Sequence, residues 1–161
     1  MAKGGRMKRT IFMVAIAFVL AMSNVAIAGT SPAPATSAPS AGKCMDNAQS
    51  QAAMNACASQ SLSAADKELN QVYQQVLHKY AKDTVFIGKL KAAQKAWLAF
   101  RDAELAARFP VEDKTNYGSV YPMCASNELE AMTLKRTEEL REWLKGTQEG
   151  DVCAGSYQTN S

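Results

Sequence analysis

Two sets of residues in this chain carry chemistry by type and spacing: a close pair of carboxylates and an even set of cysteines. Asp102 and Glu104 are residue types that serve as general acid and base. The helical pattern around them decides against that use, because side chains two apart on a helix point to nearly opposite sides. They do not converge on one bond. His78, the single histidine, stands among Lys and Gln near a predicted helix end, where a solvated or capping role suits it. The chain has no Gly-rich phosphate loop, and no Ser-His-Asp set that its helices would bring together. No catalytic residue is assigned; the expected work is recognition and not turnover. Cys44, Cys57, Cys124 and Cys153 lack the close Cys-x-x-Cys pairs of a zinc site. They suit two disulfides formed in an oxidising compartment. Neither a metal nor a cofactor is expected.

The N-terminus supplies such a compartment. Lys3, Arg6, Lys8 and Arg9 precede an apolar run from Ile11 to Met22, and Ala26-Ile27-Ala28 is a small-x-small cleavage signal. Residues 1–28 read as a secretory signal peptide, too short and wrongly flanked for a stable membrane span. Lys43 before Cys44, after a small and polar run, is no lipoprotein acylation site. The expected location is the periplasm or the medium, after cleavage and without stable membrane insertion. The leader also distorts the charge. It holds four of the 18 Lys and Arg and none of the 15 Asp and Glu, so the rest of the chain carries a net charge of −1. A near-neutral exported chain without a basic stripe is a poor nucleic-acid binder.

Residues 29–43 form a Pro/Ser/Ala linker with little to bury, expected to be disordered. Residues 44–146 form the domain, and 147–161 a loose polar tail. Within the domain, Leu62, Ala65, Leu69, Val72 and Val76 recur at steps of three and four from Gln51 to about Tyr80, one apolar helical stripe. Ser63 with Asp66 offers an alternative N-cap that would split this helix. A second helix starts near Asp83 or Thr84 and ends at Pro110. Its stripe is Phe86, Leu90, Ala93, Trp97 and Phe100, continued by Arg101 and Glu104. A third runs from Ser119 or Tyr121 to Lys145, with Leu129, Met132, Arg136, Leu140 and Trp143 as its stripe and Gly146 as its stop. No segment alternates with period two. The predicted fold is all-α: an antiparallel three-helix domain, stapled by disulfides.

Laid out as antiparallel rods rising about 1.5 Å per residue, these helices bring Asp66, Trp97, Arg101 and Arg136 to nearly one height. Arg101 and Arg136 interrupt apolar stripes, so their stems are buried and their heads need partners. A polar layer is expected, with Asp66 paired to Arg101 or Arg136 and with Asn70, Gln94 and Thr133 completing it. It would fix helix register more readily than it would bind a ligand. The best contact surface is the loop between the second and third helices. There Glu112, Asp113, Asn116, Tyr117, Ser119 and Tyr121 combine carboxylates, aromatics and hydroxyls. An ordinary solvated connection, with Tyr121 packed on Trp97 or Phe109, is the alternative.

Several motifs come in a fixed order: Asp66-Lys67-Glu68-Leu69-Asn70, Gln94-Lys95-Ala96-Trp97, Arg101-Asp102-Ala103-Glu104, and Met132-Thr133 with Arg136-Thr137-Glu138-Glu139-Leu140. This series, from Cys44 to Leu144, resembles the LprI-type lysozyme-inhibitor domain, a family of small exported helical proteins. The resemblance implies a protein partner, lysozyme or a related cell-wall hydrolase. A periplasmic immunity or adaptor protein for another envelope protein fits the same features, as does an envelope stress factor. The chain departs from the family at Leu105 and Glu128, where two family cysteines are replaced together, as expected of a pair. Resemblance and elimination imply Cys44–Cys57 with Cys124–Cys153. Helix geometry instead places Cys124 near Cys57 and sends Cys153 out at the opposite end, so both schemes stand open.

Overall fold

Local chemistry sets the helix ends. Ser50 Oγ accepts the Ala53 amide at 3.2 Å and opens one long helix. Asp83 Oδ1 accepts the Phe86 amide at 2.9 Å and opens the next. Pro122 sits in the first turn of the last helix, where its missing N–H leaves no gap. Gly146, at φ 74°, ends that helix in a conformation other residues adopt at a cost.

The computed structural model describes residues 39–159. The signal peptide expected over 1–28 and the linker up to Ala38 lie outside the described residues. The described helices are α1 (Pro39–Asp46), α2 (Gln51–Lys79), α3 (Thr84–Arg108) and α4 (Tyr121–Lys145), with a short 3-10 turn at Lys114–Tyr117. The all-α prediction holds. The three long helices are those expected, and α1 is an addition. Two expectations are corrected. The stretch from Pro39 to Lys43, assigned to a disordered linker, is already helical. The split considered at Ser63 does not occur, since α2 is continuous. No helix among the described residues is long and apolar enough to cross a membrane.

The closest backbone packing is between α2 and α4, which run in the same direction. Small buried residues allow it: Ala58 and Ala65 on α2, Ala125, Thr133 and Thr137 on α4. The α3 helix runs the opposite way and reaches them through large side chains. The core gathers Leu69, Val72, Val76, Tyr80, Phe86, Leu90 and Leu140. Phe86 and Tyr80 lie 4.4 Å apart between ring centres, and Phe86 and Trp143 4.6 Å. Phe100, expected in the stripe of α3, is instead 55% exposed. Steps of 3.5 residues drift by about 20° per heptad on a straight helix, so Phe100 has rotated off the face that Phe86 begins.

The tail is a further correction. It is not loose over 147–159. Tyr157 stacks on Trp143 at 4.0 Å, Thr147 and Thr159 form a β-bridge, and the Gln158 amide donates to the Tyr80 hydroxyl at 3.1 Å. That hydroxyl in turn donates to the Trp143 carbonyl at 3.1 Å. Tying the tail down at this end settles the cysteines. Cys44 and Cys57 are bonded, joining α1 to α2, whereas Cys124 and Cys153 are free thiols. The Cys124–Cys153 bond is therefore not formed. Cys124 lies in the first turn of α4, and about 36 Å of helix separates that end from the folded-back tail.

Tyr80→Phe leaves the core ring in place but removes the hydroxyl that joins α4 to the tail. We expect a loss of about 1–3 kcal/mol and faster protease cleavage within 147–159. Thermal melts with limited proteolysis check this, and a tail as protected as in the parent protein would contradict it.

Candidate functional site

Midway along the helices, α2, α3 and α4 each contribute to a polar layer. Arg101 Nη1 donates to Asp66 Oδ1 at 3.0 Å and to Thr133 Oγ1 at 3.3 Å. The Thr133 hydroxyl donates to the same carboxylate oxygen at 3.4 Å. The guanidinium carbon sits 5.3 Å from the Trp97 ring centre, within cation–π range. One turn along α4, Arg136 Nε donates to Gln94 Oε1 at 3.1 Å, and its Nη1 meets Glu139 at 3.0 Å. Thr137 Oγ1 donates to the Thr133 carbonyl at 2.9 Å. The structure thus brings Asp66, Gln94, Arg101, Thr133 and Arg136 together. Asn70 does not join them: it is exposed on α2 and lines an adjoining open groove of about 490 Å³ between α2 and α3. Asp66 pairs with Arg101, and Arg136 takes Gln94.

These contacts cross three helices at one height, so they resist sliding of any one helix past the others. Asp102 and Glu104 diverge by about 200° around α3 and share no site. A further ion pair, not foreseen from the sequence, fixes α2 to α4: Arg141 meets Glu68, and it also meets Glu138 on its own helix.

The loop between α3 and α4 lies at the end where α4 begins. Its organiser is Lys114, which the sequence did not single out. Its Nζ donates to the carbonyls of Phe109 at 2.6 Å and Val111 at 2.9 Å, a cation on the orphan carbonyls past a helix C-terminus. The ammonium also lies 5.9 Å and 5.8 Å from the ring centres of Tyr117 and Tyr121. Those rings stack on each other at 5.6 Å and meet Phe109 edge-on. Tyr117 Oη accepts the Val111 amide at 2.9 Å. Both tyrosines are half-buried. Asp113 caps the 3-10 turn, accepting from the Thr115 amide at 3.0 Å and hydroxyl at 2.7 Å. Asn116 Nδ2 donates to the Asp113 carbonyl, and Asn55 on α2 donates to the Ser119 carbonyl at 2.9 Å. Gly118, at φ 74°, closes the turn. Of the six residues expected to make contact, Glu112 and Ser119 keep exposed side chains with no internal role assigned among the described residues, and Glu112 stands beside exposed Val111. The result is a preformed loop whose aromatics work inward. One signal in the sequence was readable: a lone Lys between Phe109 and two tyrosines.

Two outcomes follow. Asp66→Asn removes the charge that holds Arg101; because the Asp66 side chain is 41% exposed, the loss should be about 1–3 kcal/mol and not the larger value of a fully buried pair. Denaturant titration measures it, and an unchanged midpoint would contradict the brace. Separately, the side-chain and then the backbone hydrogen bond from Thr115 hold the Asp113 carboxyl below its ordinary value. A depressed pKa means the cap is intact above the ordinary carboxylate range and is lost as pH falls through the depressed value. The Thr115 amide resonance should report that titration, and a midpoint at or above an ordinary aspartate's would contradict the cap.

Comparison with known proteins places this geometry in a family. The chain is 35% identical over 113 residues to an uncharacterized protein of Rhizobium meliloti (strain 1021), an alignment covering 63% of this chain and 78% of that one. No solved structure matches. The family model described as "Lysozyme inhibitor LprI" matches residues 44–140, which span α2, α3, the loop and most of α4, together with the disulfide and every member of the polar layer. The chain belongs to the LprI lysozyme-inhibitor family.

Proposed function

We propose that this protein is exported and binds lysozyme or a related cell-wall hydrolase, inhibiting it by surface contact through the loop between α3 and α4. The observation that carries the reading is family membership across the whole braced domain, residues 44–140. Two physical features support the loop as the contact. It is ordered without a partner, by Lys114 and the Phe109–Tyr117–Tyr121 cluster, so little ordering entropy remains to oppose binding. It also turns Glu112 outward, next to the exposed apolar side chain of Val111. A carboxylate beside an apolar contact suits a basic partner surface, steering encounter more than it deepens affinity. In this reading the polar layer is structural: it holds the two helix ends from which the loop springs. The disulfide that joins α1 to α2 fits an oxidising compartment.

The purified protein, titrated into c-type lysozyme while cell-wall lysis is followed, should slow lysis in a saturable way. Glu112→Lys should weaken inhibition several-fold, mainly through slower association, with thermal stability unchanged. Full lysis at large excess of the protein would remove lysozyme as the target. Undiminished inhibition by Glu112→Lys would remove the loop as the contact.

A further inference from the structure

The outward face of α3 is apolar and has no partner among the described residues. Ala92, Ala96, Ala99 and Ala103 are all exposed and recur at steps of four, three and four, one line along the helix. Larger apolar groups stand on or beside that line: Val85 is 73% exposed and Phe100 55%. A helix packed on one side should carry polar groups on the other, and α3 carries alanines. Apart from Arg101 and Arg108, which are held by Asp66 and Glu128, its charges lie on the two flanks of the stripe and are sorted along the axis. Lys89, Lys91 and Lys95 occupy the N-terminal half, and Asp102 and Glu104 the C-terminal half. Lys89, Lys91, Lys95 and Glu104 make no ion pair among the described residues. Asp102 reaches only Arg101 Nε at 3.8 Å and is 74% exposed.

We infer that this face binds a second copy of the chain, α3 against α3 in antiparallel sense about a two-fold axis. The charge sorting selects both occupant and direction. A two-fold axis passing midway between Ala96 and Ala99 sets Ala96 against the partner's Ala99, and Ala92 against the partner's Ala103. In such a pair each flank meets the same flank of the other copy. On one flank Lys91 and Lys95 then bracket the partner's Asp102. On the other, Lys89 comes within about one turn of the partner's Glu104, and Phe100 covers the partner's Ala93 and Ala96. A parallel pair would instead set lysine against lysine and acid against acid, which is repulsive. Small side chains along the seam permit close approach of the two backbones. Both halves of the charge pattern and the apolar line are satisfied by one symmetric arrangement, and every contact in it occurs twice.

Sedimentation velocity over a wide concentration range tests this, using Cys153→Ser so that an exposed thiol cannot create a covalent dimer. The mass should rise towards twice that of the monomer in a reversible, concentration-dependent way. Ala96→Glu, at an exposed position, should abolish association without changing the thermal melt. Asp102→Lys faces two lysines on each side of the axis and should weaken association tenfold or more, and Lys91→Glu with Lys95→Glu in that background should restore it. A strictly monomeric protein at the highest concentration reached overturns the proposal, as does a dimer that survives Ala96→Glu. A dimer lost with Ala96→Glu but indifferent to Asp102→Lys overturns the antiparallel register.

Discussion

The ion pair between Asp66 and Arg101, completed by Thr133, is the contact on which the arrangement of this molecule depends. Apolar burial drives the helices together but does not fix their height, because one aliphatic side chain packs against another over a range of positions. A guanidinium that must find one carboxylate and one hydroxyl has far fewer solutions. The same is true of Arg136 and Gln94 one turn away. Such a layer adds little net stability relative to an apolar one, yet costs heavily when half of it is removed. Its effect is to select one register of α3 against the α2–α4 pair, and thereby to fix where the two ends of the connecting loop stand.

Everything at the ends of the bundle follows from that choice. At one end, Phe86, Tyr80, Trp143 and Tyr157 pack around a hydroxyl that ties the tail to α4. At the other, the loop is closed by Lys114, which satisfies backbone carbonyls beyond the end of α3 while lying against two tyrosine rings. Both ends use the same device, a polar group at the tip of an aromatic cluster, to hold irregular backbone still. A surface held in this way has paid its ordering cost before any partner arrives. The outer face of α3 lies elsewhere, on a flank that the register also fixes, so the proposed recognition of another protein and the proposed association of like chains would use different surfaces.

Much of the fold was legible because it rests on local periodicity and capping. Leu69, Val72 and Val76 declare the buried face of α2, Asp83 its successor's start, and Gly146 the end of α4. The polar layer was legible too, since Arg101 and Arg136 break apolar stripes at matching heights. What escaped depends on long-range geometry or on small angular drifts. Phe100 continues a stripe of mixed three- and four-residue steps on paper, but on a straight helix it falls at the edge and is exposed. Lys114 looks like a loop charge until the chain folds back on the end of α3. Tyr157 looks like one aromatic in a polar tail until Trp143 is placed beneath it. The pairing of cysteines was out of reach for the same reason: Cys153 is kept at the far end by tail contacts that no spacing encodes. The inward packing of Tyr117 and Tyr121 was not legible either, because an aromatic in a loop can face either way, and the deciding ammonium is local only in three dimensions.

The central claim is that the α3–α4 loop is already formed in the isolated protein. Amide hydrogen exchange tests it most directly. The amides of Val111, Thr115 and Gly118, bonded to Tyr117 Oη, Asp113 Oδ1 and the Thr115 carbonyl, should exchange far more slowly than in an unstructured peptide of the same sequence. Exchange of those amides at the unstructured rate, with α2 and α4 still protected, would contradict it.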